Sequence, residues 1–249
     1  MASNNPTWRQ ERVADELSLK LGILVSPRTV KKYWPNRLDS KPRGVSGQRW
    51  TTFVRNHANA IIACDFATVM TASFRALYVF VIMEIGTRRI LHCNITEHPT
   101  AQWTAQQFRE AVPSDHYNRF LIHDRDSIFS QEVDEAVTRL GCKVLRTPVR
   151  APQANAYCER LVGTIRRECL DFMIPLGEKH LRRILRDWVR HYNLGRPHCS
   201  LGPGLPIPDP EQPRVPQPNR HQLPQGWSVV GKSVLGDLHH EYRLEKTAV

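Results

Sequence analysis

No two cysteines in this chain stand as Cys-x-x-Cys: the six lie at 64, 93, 142, 158, 169 and 199. That scatter argues against a zinc knuckle or a thioredoxin-type dithiol, which need paired thiols, and it fits a reducing compartment. No run of about 18 apolar residues occurs, so no helix is expected to cross a membrane. The opening MASNNPTWRQERVADEL lacks the apolar stretch of a secretory leader. A soluble, cytoplasmic protein is the expectation. Acidic residues are in short supply: 24 Asp and Glu stand against 35 Lys and Arg, a formal charge of +11. Such a surplus says nothing of fold. It points to a polyanionic partner, nucleic acid being the commonest, with binding that weakens as salt rises. Hydrophobic content is 41%, enough for an ordinary core.

Residues 1–38 read as a helix-turn-helix-like segment. WRQERVADELSLKL puts Val13, Leu17 and Leu21 on one face. In SPRTVKKYW, Ser26 suits the N-cap and Pro27 the first helical position. Arg28, Lys31 and Lys32 on that second helix are candidate DNA contacts; a plain helical hairpin is the alternative. Residues 39–58, beginning DSKPRGVSGQR, read as a polar linker. The pattern then changes over 59–201. IIACDFATV, ALYVFVIME and RRILHCNIT are β-rich runs with short joints, a three-stranded antiparallel meander. A helix over PTAQWTAQQFREAV, a strand in YNRFLIHD, a helix in SQEVDEAVTRLG and a strand in CKVLRTP follow. The expected class is therefore α/β: a mixed sheet flanked by helices. Two more helices are predicted from Asn155 to Phe172 and from Glu178 to Asn193. Within 202–249, residues 203–224 hold eight prolines and exclude a helix or inner strand. The final WSVVGKSVLGDLHHEYRL is a candidate hairpin or tail.

Asp65 interrupts a strand that is apolar on both faces, with Ile61, Ala63 and Ala67 on one and Ile62, Cys64 and Phe66 on the other. A lone ionised carboxylate there costs several kcal/mol, roughly, unless paired or bound to metal. Asp124 directly follows another apolar strand, where open α/β sheets present ligands, and Asp126 stands two residues on. Glu159 opens a helix whose expected apolar stripe is Cys158, Leu161, Ile165, Cys169 and Phe172. Arg166, seven after Glu159, shares its face, and Gly163 between them leaves room for an approaching group. Carboxylates converging from three elements repel unless hard cations sit among them. Mg²⁺ takes oxygen ligands and substrate phosphate, and two ions about 3.5–4 Å apart suit an in-line displacement at phosphorus.

The ordered set Asp65, Asp124, Glu159 resembles the DDE triad of the retroviral-integrase-type core found in bacterial insertion-sequence transposases. Thirty-four residues lie between Asp124 and Glu159, close to that family's spacing. Arg166 and Asn155 match its basic residue and its asparagine, and HYNLGRPHCSL resembles its closing signature. The resemblance runs over about 50–208. It implies an RNase H-like fold, a DDE-type polynucleotidyl transferase with Asp65, Asp124 and Glu159 as metal ligands, and two Mg²⁺ ions, replaceable by Mn²⁺. Double-stranded DNA, as element ends and target, is the implied partner, with homo-oligomers assembling on it and the protein associated with the nucleoid. Two departures stand out. Asp126 replaces a frequent glycine and is a rival ligand to Asp124, and Ala154 replaces a frequent aspartate. Arg150, Arg160, Arg166 and Asn155 are the expected DNA contacts of the core, although a charge run of this kind is often only a solvated face. A metal-dependent nuclease on the same fold and a non-catalytic DNA-binding protein derived from a transposase are the alternatives.

Overall fold

The computed structural model describes residues 10–11, 13–14, 17, 23–34, 50–113, 117–147, 155–201, 204–208 and 225–247. The chain divides into two compact units, Met1–Gln48 and Arg49–Val249. In the first, residues 10–11, 13–14 and 17 are helical and helix α1, Pro27–Lys32, follows. Ser26 caps α1, its Oγ accepting from Thr29 N at 3.1 Å; Pro27 at the start has no amide to leave unpaired. Val13, Ala14 and Val30 make a small core with Leu17, Val25 and Trp34. Arg28, Lys31 and Lys32 are exposed.

The second unit begins with a correction. Where the sequence predicts linker, Trp50–His57 forms helix α2. Val54 is buried, and the Phe53 ring meets Phe120 edge-on at 5.2 Å between centroids. Trp50, Phe53, Val54 and His57 recur at helical spacing, a pattern hidden by the polar stretch before them. Residues 39–49 of the predicted linker, and 35–38 of the predicted helix-turn-helix segment, lie outside the described residues.

Strands β1 (Ile61–Met70), β2 (Ala76–Glu84) and β3 (Ile90–Thr96) form an antiparallel meander. Helix α3 (Ala101–Ala111) leads to β4 (Phe120–His123), and α4 (Gln131–Arg139) leads to β5 (Lys143–Arg146). β4 pairs in parallel with β1, and β5 with β4. The two helices supply the crossovers that parallel pairing requires. The sheet order is β3-β2-β1-β4-β5, the RNase H-like mixed sheet, with β1 in its centre. Alternation along β1 divides its side chains between two cores. Ile61, Ala63 and Ala67 join the face covered by helices α5 (Ala156–Glu168) and α6 (Glu178–Leu194), where Leu161, Ile165 and Trp188 are buried. Ile62 and Cys64 join Phe80, Phe108 and Val133 on the face covered by α3 and α4.

Cys158, Leu161, Ile165 and Cys169 make the apolar stripe of α5, but Phe172 is 66% exposed. The α-helix ends at Glu168 and a 3₁₀ turn, Leu170–Phe172, follows; three residues per turn carry Phe172 out of phase with the stripe. Strands β6 (Trp227–Val234) and β7 (His239–Lys246) form a separate antiparallel hairpin. It seats on the end of α6. Glu241 Oε1 hydrogen-bonds His191 Nδ1 at 2.8 Å, and a Cβ on Gly195 would fall 2.3 Å from that same oxygen. Among the described residues no helix is long and apolar enough to cross a membrane.

Asn193 ties α6 to the sheet. Ile90 N donates to its Oδ1 at 2.9 Å and its Nδ2 donates to Ile90 O at 3.0 Å. Asn193→Ala strands both buried backbone groups, so urea denaturation should show a loss of about 2 kcal/mol. An unchanged midpoint would show that the two bonds contribute nothing net.

Candidate active site

Asp65 and Asp124 occupy corresponding places on neighbouring parallel strands. The last registered pair between β1 and β4 is Ala63 with Ile122, and each aspartate lies two residues beyond its member of that pair. β4 ends at His123 while β1 continues to Met70. Asp65 therefore sits where β1 loses its neighbour on that side, which explains how a strand apolar on both faces accommodates a carboxylate. The side chain is only half-buried.

Its electrostatics are unfavourable. Burial, first, and then the charges of Asp124, Glu159 and Asp126 push the Asp65 carboxyl up to about 7, against a hydrogen bond from Phe66 N at 2.8 Å that holds it down. The buried Cys158 thiol reports the same field: burial first, then Asp65, Asp124 and Glu159, hold it well above the ordinary value. None of these carboxylates forms an ion pair with a described cation.

The loop after β4 is held from behind. His123, on the opposite face to Asp124, is buried against Phe129, 4.5 Å between ring centroids. Its Nδ1 lies 2.5 Å from Asp124 O and its Nε2 3.0 Å from Asp134 Oδ1. Arg146 closes the chain onto Asp134 Oδ2 at 2.6 Å. Asp124 Oδ1 accepts from Asp126 N at 3.0 Å, and Asp126 Oδ1 accepts from Ile128 N at 3.0 Å. Each of the two thus gives one oxygen to the turn, and what separates them is that Asp124 holds the position two residues past the last β1–β4 pair, as Asp65 does. The His123–Asp134–Arg146 chain escapes sequence reading because its members come from three elements. The only clue is a polar pair flanking a strand.

Helix α5 brings Glu159 in its first turn. Asn155, at its N-cap, donates from Nδ2 to Cys64 O at 3.2 Å, fixing the helix start beside Asp65. Its Oδ1 is buried with no partner among the described residues. Arg166 lies along β1, Nη2 donating to Thr68 O at 3.3 Å. The space expected above Gly163 is taken by the Arg167 guanidinium, 3.0 Å from where a Cβ would stand. Arg160 faces away from this group, into a cavity with Arg88 and Tyr157. Arg150 lies outside the described residues. Arg28, Lys31 and Lys32 belong to the first unit.

Among the described residues, no three His, Cys, Asp or Glu side chains are gathered closely enough to grip a metal ion as they stand. The chemistry of the donor set nevertheless fits a hard cation: the donors are all carboxylate oxygens, and burial first and then their mutual repulsion raise Asp65.

Residues 140–206 match the family described as Integrase core domain. An uncharacterised 39.2 kDa protein of insertion element IS476 from Xanthomonas euvesicatoria is 26% identical over 157 residues, 63% of this chain and 45% of that one. An uncharacterised 31.7 kDa protein of insertion element IS407 from Burkholderia multivorans is 22% identical over 162 residues, 65% of this chain and 58% of that one. The chain thus spans about half the length of these relatives. Transposase InsD of insertion element IS2D from Escherichia coli is 30% identical over 73 residues, 29% of this chain and 24% of that one. Among solved structures, a chain of the simian T-cell lymphotropic virus intasome in complex with PP2A regulatory subunit B56 gamma aligns with TM-score 0.49 and 13% identity, over 77% of this chain and 79% of that one. The Mos1 transposase catalytic domain, solved with raltegravir and Mg, aligns with TM-score 0.48 and 14% identity, over 56% and 76%. The integrase-core match covers the end of the sheet and the two helices that follow it, residues 140–206. Over part of its length the chain is similar to proteins of bacterial insertion elements, transposases among them.

A carboxyl raised in the folded state stabilises the fold at low pH, and that stability is lost as pH rises through the folded value. For Asp65 the window runs from its ordinary 3.8 up to about 7. Asp65→Asn should flatten the fall in melting temperature across that window and leave the variant more stable than wild type at pH 8. Parallel pH profiles of the two proteins would contradict the assignment of the burden to Asp65.

Proposed function

We propose that the chain is a DNA strand-cleaving and strand-transferring enzyme of the DDE type, with Asp65, Asp124 and Glu159 as its metal-holding carboxylates. The carrying observation is the half-buried Asp65, raised by burial and by the charges of the other two, at the edge of β1 that β4 leaves uncovered. Divalent ions such as Mg²⁺ or Mn²⁺, when held there, supply Lewis-acid stabilisation of the phosphoryl oxygens. The protein's own part is positioning. The β1–β4 register sets Asp65 beside Asp124. The Asn155–Cys64 bond places the helix that carries Glu159. Arg166, exposed next to that helix face, meets the backbone phosphates of bound DNA. Water attacks a phosphodiester and frees a 3′-hydroxyl, and that hydroxyl then attacks a target phosphodiester with loss of its 3′-oxygen leaving group. Element ends and target are double-stranded DNA, bound by a protein that carries +11 and acts as a homo-oligomer on it. The basic face of α1 in the first unit adds DNA contacts through Arg28, Lys31 and Lys32.

One observation favours a rival. The carboxylates are not gathered into a metal-gripping cluster, as in a DNA-binding protein that has lost catalysis. A single assay with labelled element ends, a target plasmid and Mg²⁺ or Mn²⁺ separates the readings. Joined products identify a transposase, nicks alone a nuclease, and a shifted but intact duplex a binder. Glu159→Gln should lower strand transfer by about a thousandfold while DNA affinity stays within about twofold, because one exposed carboxylate contributes little to phosphate binding. Joining at the wild-type rate would remove Glu159 from the site.

A further inference from the structure

A cavity of about 460 Å³ opens on the flank of α5 turned away from Glu159, between that helix and the segment following α6. Tyr157 and Arg160 reach it because they lie roughly 100–160° around the helix from Glu159. Its size falls within the roughly 300–1,000 Å³ of small-molecule sites. Its walls are cationic and aromatic. Arg88 lies over the Tyr157 ring, guanidinium carbon 4.2 Å from the centroid. The Arg88 backbone is in the left-handed region, φ 64°, which a long side chain seldom adopts. Arg196 is already neutralised, bonding both oxygens of Glu168 at 2.6 and 2.7 Å. Arg88 and Arg160 have no carboxylate partner among the described residues. Two unpaired guanidiniums beside a tyrosine, in one concave site, call for a planar ligand bearing an anion. A base stacks on an arginine plane as readily as on an aromatic ring, and arginine is the usual partner of phosphate.

We propose that this cavity takes one nucleotide of a DNA strand, its base on the Arg88–Tyr157 stack and its phosphate on Arg160. The inference rests on the DNA-processing reading for the identity of the polymer, but it needs neither metal nor strand transfer. The site stands on the far side of α5 from the carboxylates. It therefore holds a strand that passes behind the catalytic helix.

Fluorescence anisotropy on the full chain in EDTA tests it, with a dye-labelled, 5′-phosphorylated thymidylate tetramer as probe. Unlabelled tetramer without the phosphate and thymidine monophosphate serve as competitors. Arg88→Gly removes the stacked plane while giving glycine a φ it accepts without strain, so its melting temperature should hold. Ser200→Trp, at an exposed wall position, fills the cavity and leaves every arginine in place. Both variants should bind the phosphorylated tetramer at least tenfold more weakly, and Arg160→Ala should abolish the preference for the phosphorylated over the unphosphorylated strand. Affinities within twofold of wild type in both Arg88→Gly and Ser200→Trp would overturn the proposal. Monophosphate competing as well as the tetramer would overturn the strand assignment in favour of a free nucleotide. A chain that binds the tetramer here yet joins no DNA would sink the proposed function and leave this inference standing.

Discussion

A short strand beside a long one governs the chemistry of this fold. β4 stops at His123 and β1 runs on to Met70. Had β4 matched β1 in length, Asp65 would be closed in on both edges and its charge would have no route to water or a cation. Because it stops, β1 presents one carboxylate at the uncovered edge and the chain leaving β4 presents another. The remaining structure keeps that edge in order. His123, Asp134 and Arg146 brace the departing loop from the second core, and Asn155 bonds the backbone of Cys64 so that α5 starts beside the same edge.

Negative charge collected in this way has to be offset by something. No described lysine or arginine pairs with Asp65, Asp124 or Glu159, and Arg166 gives a hydrogen bond to the carbonyl of Thr68. Folding alone would place a guanidinium among such groups, since one neutralising cation costs less than several bare carboxylates. On the proposed reading, the charge that satisfies these carboxylates arrives with a ligand.

The strands were legible because their two-residue alternation survives in composition. Ile61 to Phe66 reads as two apolar faces, and both faces find a core. Asp65 and Asp124 stand out in the sequence because one breaks such a pattern and the other follows its end, whereas Glu159 is singled out by the family resemblance. Helix α2 was not, since Trp50, Phe53 and Val54 follow a polar, glycine- and proline-bearing stretch that reads as loop throughout. Phe172 was misplaced because hydrophobic periodicity carries no mark of where an α-helix tightens into 3₁₀. Arg160 is expected from the sequence among the DNA contacts of the core, yet neighbours on a helix point about 100° apart, and only the packed structure shows that it lines a separate cavity. The HYNLGRPH stretch was visible as a signature without its reasons. In the structure Asn193 holds β3, His191 receives the hairpin through Glu241, Arg196 clamps Glu168, and His198 sets its ring edge-on to Tyr192 at 4.6 Å.

Of the six thiols, Cys64, Cys142, Cys158 and Cys169 are buried, Cys93 is partly covered, and Cys199 is exposed. Burial also pushes the Cys93 and Cys169 thiols up to about 12, which leaves little thiolate on them at neutral pH. Cys199 sits on the rim of the arginine-lined cavity. The native chain therefore carries a ready-made anchor for a maleimide label, placed where a spectroscopic reporter would sense what enters that recess without any engineered cysteine.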